Sequence, residues 1–221
     1  LQTIAVAGSG FSGAIVAREL AEKAGLKIKV FESRDHIAGN CHSERDPETG
    51  VMVHKYGAHV FHTSNEKVWE YVNRFAKFRR FHVRIFSRTH KGVFSLPINL
   101  LTLNQFFNKT MSPEEAQAFV ENLCDLSIAE PQSFEEQALR FVGKDIYEAF
   151  FKGYTRKQWG VAPSRLPASI LKRLPVRFNY NNDYFNDRYQ GIPEEGYTEL
   201  IANILDHPNI EVLLSTPFEP R

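Results

Sequence analysis

The sequence predicts an α/β protein: a dinucleotide-binding βαβ unit at the start, a mainly helical segment inserted after it, and a small β-sheet element. Three observations carry this expectation. A glycine loop joins an apolar run to a helical one, capping signals recur through the middle of the chain, and a helix followed by a strand returns near residue 200. Residues 3–7 (TIAVA) form the short apolar run of a first strand. The loop GSGFSG follows, residues 14–23 keep apolar side chains at helical spacing, and LKIKVF supplies a second strand. Thr63 with Glu66, Ser112 with Glu115 and Pro113, and Ser133 with Glu136 have the spacing of capping boxes and start three helices. Residues 80–88 (RFHVRIFSR), then HKG, then VFSL, predict a hairpin. Residues 146–150 give a helical apolar face that Gly153 is expected to end, Thr198 is expected to cap a helix through Leu205, and NIEVLLS is a last strand. The expected organisation is therefore 1–80, an insertion at 81–185, and a return toward the sheet at 186–221.

Composition narrows the function classes. Of 221 residues, 43% are hydrophobic and 24% charged, enough for a sizeable core. A formal net charge of +1 provides no bulk attraction to nucleic acid or anionic membrane, so neither is an expected partner. No apolar stretch approaches the about 20 residues a membrane helix needs, and a soluble cytoplasmic protein is expected. Cys41 and Cys124, in no metal or redox spacing, are expected to be ordinary thiols.

Gly8, Gly10 and Gly13 stand at G-x-G-x-x-G between strand and helix. Such a loop needs glycines so that the turn is tight and the backbone can approach a pyrophosphate at the helix N-terminus. Glu32 follows Gly13 at the distance expected of an acid that accepts hydrogen bonds from ribose hydroxyls. Beyond it, Gly39 and Asn40 in RDHIAGN resemble the second glycine motif of flavoproteins with two dinucleotide-binding domains, with Ala38 where that motif has glycine. FAD is therefore expected rather than NAD.

HKYGAHVFHT holds His54, His59 and His62, but no Cys or acid completes a metal ligand set, so no metal is expected. Gly57 close to His59 instead suggests a loop pressed against a planar cofactor. In KDIYEAFFKGYTRKQWG (144–160), Phe150, Phe151, Tyr154 and Trp159 fall close together. The spacing suits a core face in part and a ligand cleft in part. Residues 151–190 carry eight Lys and Arg against Asp183 and Asp187, a local field suited to a nucleotide diphosphate.

The ordered blocks GSGFSG with Glu32 and Asn40, YGAHVFHT, FSLPINL, GYTRKQWG, SILKRLPVRFNYNNDYF and DRYQGIPEEGYT resemble the bacterial UDP-galactopyranose mutases. The resemblance implies interconversion of UDP-galactopyranose and UDP-galactofuranose for cell-surface polysaccharides, with reduced FAD and through a covalent flavin N5–sugar adduct. It places Ser12, Glu32, Ser33, Asn40, Gly57, His59 and Val60 on FAD, beside Gly8, Gly10 and Gly13. Phe150, Phe151, Tyr154, Thr155, Trp159, Tyr184 and Phe185 fall on the nucleotide sugar. Arg173 falls on the diphosphate, and with His62 it is assigned to catalysis. Val83 stands where several relatives have a substrate-contacting asparagine. Relatives are longer, so the last part of the family fold is expected to be absent and a homodimer is left open. A flavin oxidoreductase of the amine-oxidase kind and an inactive nucleotide-binding fragment are the alternatives.

Overall fold

The computed structural model describes residues 3–171 and 176–219, which divide into two compact units. One comprises the described residues of 1–82 and 186–221, the other those of 83–185. Among the described residues no helix is long and apolar enough to cross a membrane.

The first unit begins with β1 (Thr3–Ala7), α1 (Phe11–Ala24) and β2 (Lys27–Phe31), the predicted βαβ unit. β1 and β2 pair in parallel, Thr3 opposite Lys27 through Ala7 opposite Phe31. Two short strands, β3 (Ser43–Arg45) and β4 (Met52–His54), form an antiparallel pair, and β5 (Phe61–Thr63), α2 (Glu66–Asn73) and β6 (Phe78–Arg80) follow. The chain then leaves for the second unit.

That unit opens on a hairpin, β7 (Ile85–Thr89) and β8 (Gly92–Leu96), narrower than the stretch from residue 80 that its β-forming residues suggest. Helices α3 (Leu100–Phe107), α4 (Pro113–Leu123) and α5 (Phe134–Ile146) pack around Leu103, Phe106, Val120, Ala138 and Val142, all buried. Ser112 and Ser133 cap α4 and α5 in complete capping boxes, as their spacing predicts. Helix α5 is interrupted at Gly143 (φ 72°), where a Cβ would lie 2.2 Å from the Leu123 carbonyl oxygen. After Ile146 comes a π-helical turn, Tyr147–Lys152, and then α6 (Gly153–Trp159).

The chain re-enters the first unit through β9 (Tyr189–Pro193), which pairs antiparallel with both β5 and β6. Helix α7 (Gly196–Leu205) and β10 (Ile210–Leu213) complete it, β10 joining β2 in parallel to give the order β1-β2-β10. Alanines let α1 lie close: Ala14, Ala17 and Ala21 are buried with Ile28 and Val30 of β2 and Leu200, Ile201 and Ile204 of α7. Arg18 of α1 donates to the carbonyls of Ile204 (3.3 Å) and Asp206 (2.8 Å), satisfying the open end of α7.

Three local expectations are corrected. Thr63 and Glu66 form no capping box, because Thr63 is still in β5, paired with Tyr189; Asn65 caps α2 by accepting from Val68 N–H. Gly153 does not end a helix. Its backbone is right-handed (φ −67°), and the stop falls at Gly160 (φ 69°), whose N–H bonds the Arg156 carbonyl. Thr198 does not cap α7: Ser43 Oγ accepts from the N–H groups of Tyr197 (2.8 Å) and Thr198 (3.2 Å), while the Thr198 hydroxyl donates to the Ser43 carbonyl.

The Ser133 box closes two otherwise open amides at the start of α5. Ser133→Ala should therefore cost about 1 kcal/mol. Thermal melting should show it as a fall of about 2–4 °C.

Candidate functional site

The glycine loop is built by a close crossing. A Cβ on Gly13 would lie 1.9 Å from the Gly8 carbonyl oxygen, so only glycine lets α1 pass over the turn. Gly10 precedes the helix in extended conformation (φ −71°, ψ −177°), with no side-chain cap and no acid in the first turn. The amides of the first turn, at Phe11, Ser12 and Gly13, thus face the loop mouth with the positive end of a 14-residue helix behind them. The second glycine segment packs on the first. Ala38 N–H donates to the Ser9 carbonyl (3.1 Å), and a Cβ on Gly39 would lie 3.3 Å from Gly10 Cα. Ala38 adopts φ 74° at the position where flavoprotein motifs have glycine. The close approach survives the substitution.

Glu32 sits directly behind this crossing and is almost fully buried. Its Oε2 accepts from Ser9 N–H (2.9 Å) and Ser9 Oγ–H (2.7 Å), and its Oε1 from Arg34 N–H (2.9 Å), with Ser33 Oγ at 3.4 Å. Burial alone would raise its pKa. The hydrogen bonds from Arg34, Ser9 and Ser33 outweigh it and hold the carboxyl below the usual range. Asn40 is tied in through Arg34, whose guanidinium donates to Asn40 Oδ1 (2.9 Å). Gly8, Gly10, Ser12, Gly13, Glu32, Ser33 and Asn40 are thereby brought together.

The histidine loop meets the same region through Tyr197. His59 N–H donates to His54 Nδ1 (2.9 Å), and His59 Nδ1–H donates to the Gly57 carbonyl (2.7 Å), so the loop is bonded to itself. Val60 follows half-buried. Burial, then the nearby His59 charge, push the His54 pKa down, and its Nδ1 remains an acceptor. The buried Tyr197 ring stands edge-on to His54 (5.6 Å), His59 (6.3 Å) and Phe11 (6.0 Å), joining the loop to the first residue of α1. His62 points from β5 to Asp187, with Nδ1–H donating to Oδ2 at 2.6 Å.

In the second unit the aromatic candidates separate. Phe150 belongs to the core, edge-on to Phe94 (5.8 Å) and Phe106 (5.1 Å). Phe151 is half-buried, 6.5 Å from Phe134. The π turn sets this phase, and α6 then presents Tyr154 and Trp159 outward, 67% and 53% exposed, while Thr155 is buried. Tyr184 and Phe185 stand edge-to-face (4.9 Å) on a separate segment. That segment is held by Tyr184 N–H to the Val83 carbonyl (3.3 Å) and by Arg177 to the Asp183 (2.6 Å) and Tyr184 (3.4 Å) carbonyls. Arg173 lies outside the described residues.

Sequence reasoning missed Ser9, Tyr197 and Asp187. Ser9 was legible as the residue between two loop glycines that must satisfy the acid behind them. Tyr197 and Asp187 carry no local signal, because each acquires its role only when β9 and α7 return.

Comparison with known proteins completes the picture. A family model described as NAD(P)-binding Rossmann-like domain matches residues 6–75, and one described as UDP-galactopyranose mutase matches residues 149–221. A Klebsiella pneumoniae protein named "Probable UDP-galactopyranose mutase" is 58% identical over 220 residues, all of this chain and 57% of that protein. The chain is homologous to UDP-galactopyranose mutases. The Escherichia coli dTDP-fucopyranose mutase is 51% identical over 211 residues, 96% of this chain and 56% of its own. The crystal structure of a reduced UDP-galactopyranose mutase superposes with a TM-score of 0.71 over 96% of this chain and 48% of that one. At 18% identity this is a likeness of fold. The chain spans little more than half the length of the curated relatives it matches.

Glu32 ties acid stability to the loop. Its folded pKa lies below the unfolded value, so its contribution is complete above the unfolded pKa of about 4.3 and is lost as pH falls through the folded one. Glu32→Gln should therefore lower stability by about 1–3 kcal/mol at pH 7. Chemical denaturation at a series of pH values should show that gap closing below about pH 4.

Proposed function

We propose that the protein is a flavin-dependent sugar-nucleotide mutase that interconverts UDP-galactopyranose and UDP-galactofuranose. The observation that carries this reading is the similarity to the mutases along the whole of this chain, whose glycine loop suits a dinucleotide pyrophosphate. The residues fit FAD. The first-turn amides of α1 would hold its pyrophosphate, with no side chain of the helix competing for them. Glu32, kept ionised by its own hydrogen bonds, would accept from a ribose hydroxyl, which would replace the long Ser33 contact. The Gly57–Val60 loop, braced by His54 and Tyr197, would flank the ring system. Reduced flavin, when bound, supplies a nucleophile for the anomeric carbon of the sugar.

The remaining work falls to this chain's side chains. Exposed Tyr154 and Trp159 offer faces on which a uracil and a hexose can stack, and Tyr184 with Phe185 offers a second aromatic corner. Arg173 would balance the charge that accumulates on departing UDP. Enclosure of the sugar would exclude water from the reacting carbon.

A second substrate reading follows from Val83. Its carbonyl is engaged by Tyr184 and its side chain is apolar, so that side chain offers no donor or acceptor to a sugar hydroxyl. A 6-deoxy sugar, as in the dTDP-fucopyranose named for the Escherichia coli relative, would lose nothing there.

The native protein, incubated with FAD, dithionite and UDP-galactofuranose, should form UDP-galactopyranose, with dTDP-fucofuranose run in parallel. No conversion of either by flavin-loaded protein would overturn the mutase reading, and bleaching of oxidised flavin by substrate would favour an oxidoreductase instead. Arg173→Ala should cut turnover about a hundredfold with flavin retained. Trp159→Ala should weaken UDP-galactose binding about tenfold while UDP binding changes little, as isothermal titration can measure.

A further inference from the structure

His62 is held by a constellation that the glycine loop and the aromatic segments do not explain. Its Nδ1–H donates to Asp187 Oδ2 at 2.6 Å. The other carboxylate oxygen, Oδ1, accepts from Ser64 Oγ–H at 2.8 Å, and Ser64 Oγ in turn accepts from Arg188 N–H at 3.2 Å. Gln190, which faces His62 across the β5–β9 pair, donates from Nε2 to the Asp187 carbonyl at 2.9 Å. Five residues from two distant stretches, His62 and Ser64 with Asp187, Arg188 and Gln190, thus join one carboxylate to one imidazole.

Two neighbouring charges, Arg188 and Glu66, are engaged elsewhere. The Arg188 guanidinium lies 5.0 Å over the Tyr189 ring, and the Tyr189 hydroxyl donates to Glu66 at 3.1 Å. The His62 hydrogen bond, then that of Ser64, holds the Asp187 carboxyl below its usual range, so it acts as an acceptor at neutral pH. The two side chains are 38% and 32% exposed, and an ion pair that open to water adds little to stability. Pleating sends Phe61 toward the core cluster of the first unit and His62 to the opposite face, two residues beyond the loop that ends at Val60.

The proposed reaction has a proton requirement that such a pair can meet. When a pyranose becomes a furanose, the C1–O5 bond breaks and a C1–O4 bond forms. O5 gains a proton, O4 loses one, and neither electrons nor protons change in total. We infer that Asp187 is a positioning residue that holds His62 protonated on Nδ1, so that His62 Nε2 relays the proton that O5 gains as C1–O5 breaks and that O4 loses as C1–O4 forms. This rests on the mutase reading. A carboxylate-backed imidazole is suited to the task because its tautomer is set before substrate arrives, and one nitrogen both accepts and donates.

The test uses the native protein. Asp187→Asn should lower kcat about tenfold or more with KM, UDP affinity and flavin content within about twofold. Asp187→Glu should recover part of the loss, and His62→Gln should lose at least as much as Asp187→Asn. Long-range ¹⁵N–¹H spectra, which need no turnover, should show His62 as the Nδ1–H tautomer in the parent and a mixture in Asp187→Asn. A kcat within twofold of the parent in a folded Asp187→Asn protein, or an unchanged tautomer, overturns the inference. If that variant does not fold, Ser64→Ala releases only Oδ1 and should lower kcat about threefold, and no change in it overturns the inference equally. A parent that converts no sugar nucleotide sinks the mutase reading, while the tautomer spectra still decide whether Asp187 sets His62.

Discussion

The first unit depends on one close approach, the passage of Gly13 over the Gly8 carbonyl. With α1 held that near to the β1 turn, its alanine face can reach β2 and α7, and its open amides point into the loop mouth. The same crossing sets Ser9 against Glu32 and brings the Gly39 segment onto Gly10. A carboxylate buried there would be costly alone, but two backbone amides and two hydroxyls offset its desolvation and keep it charged. Packing, backbone strain and electrostatics are therefore set by the same few atoms.

How much of this was legible in the sequence follows from the range of each interaction. The βαβ unit, the hairpin core and the boxes at Ser112 and Ser133 rest on residues within a few positions of one another, and they appear where the spacing puts them. The errors arise where a distant segment supplies the partner. Thr198 has the chemistry of a cap, but Ser43, far earlier in the chain, reaches α7 first. Glu66 was free to be a capping acid only if no strand claimed Thr63, and β9 claims it. Gly153 fails differently: glycine permits a left-handed stop without requiring one, and the π turn carries the helix through it. Within the site, the loop residues were readable, whereas the braces Tyr197 and Asp187 were not, since both arrive with the returning chain.

In the second unit the division of the aromatic run into buried and exposed members follows from helix phase rather than composition. Phe150 and Tyr154 are four apart, which on a regular α-helix would place them on one face. The wider π turn between them lets Phe150 anchor the core while Tyr154 remains open to a ligand. A strip of hydrophobic residues can in this way be both structural support and recognition surface.

The position of β10 has a consequence for biosynthesis. The strand that completes β1-β2-β10 emerges from the ribosome some 180 residues after the strand it pairs with, whereas residues 83–185 form one unbroken stretch with its own core. The later-made unit can thus reach its native state while the earlier-made sheet still lacks an edge partner. Until Ile210–Leu213 is translated, β2 exposes unpaired backbone groups, and the outward-facing Lys27 and Lys29 provide the charge that discourages other chains from pairing with it.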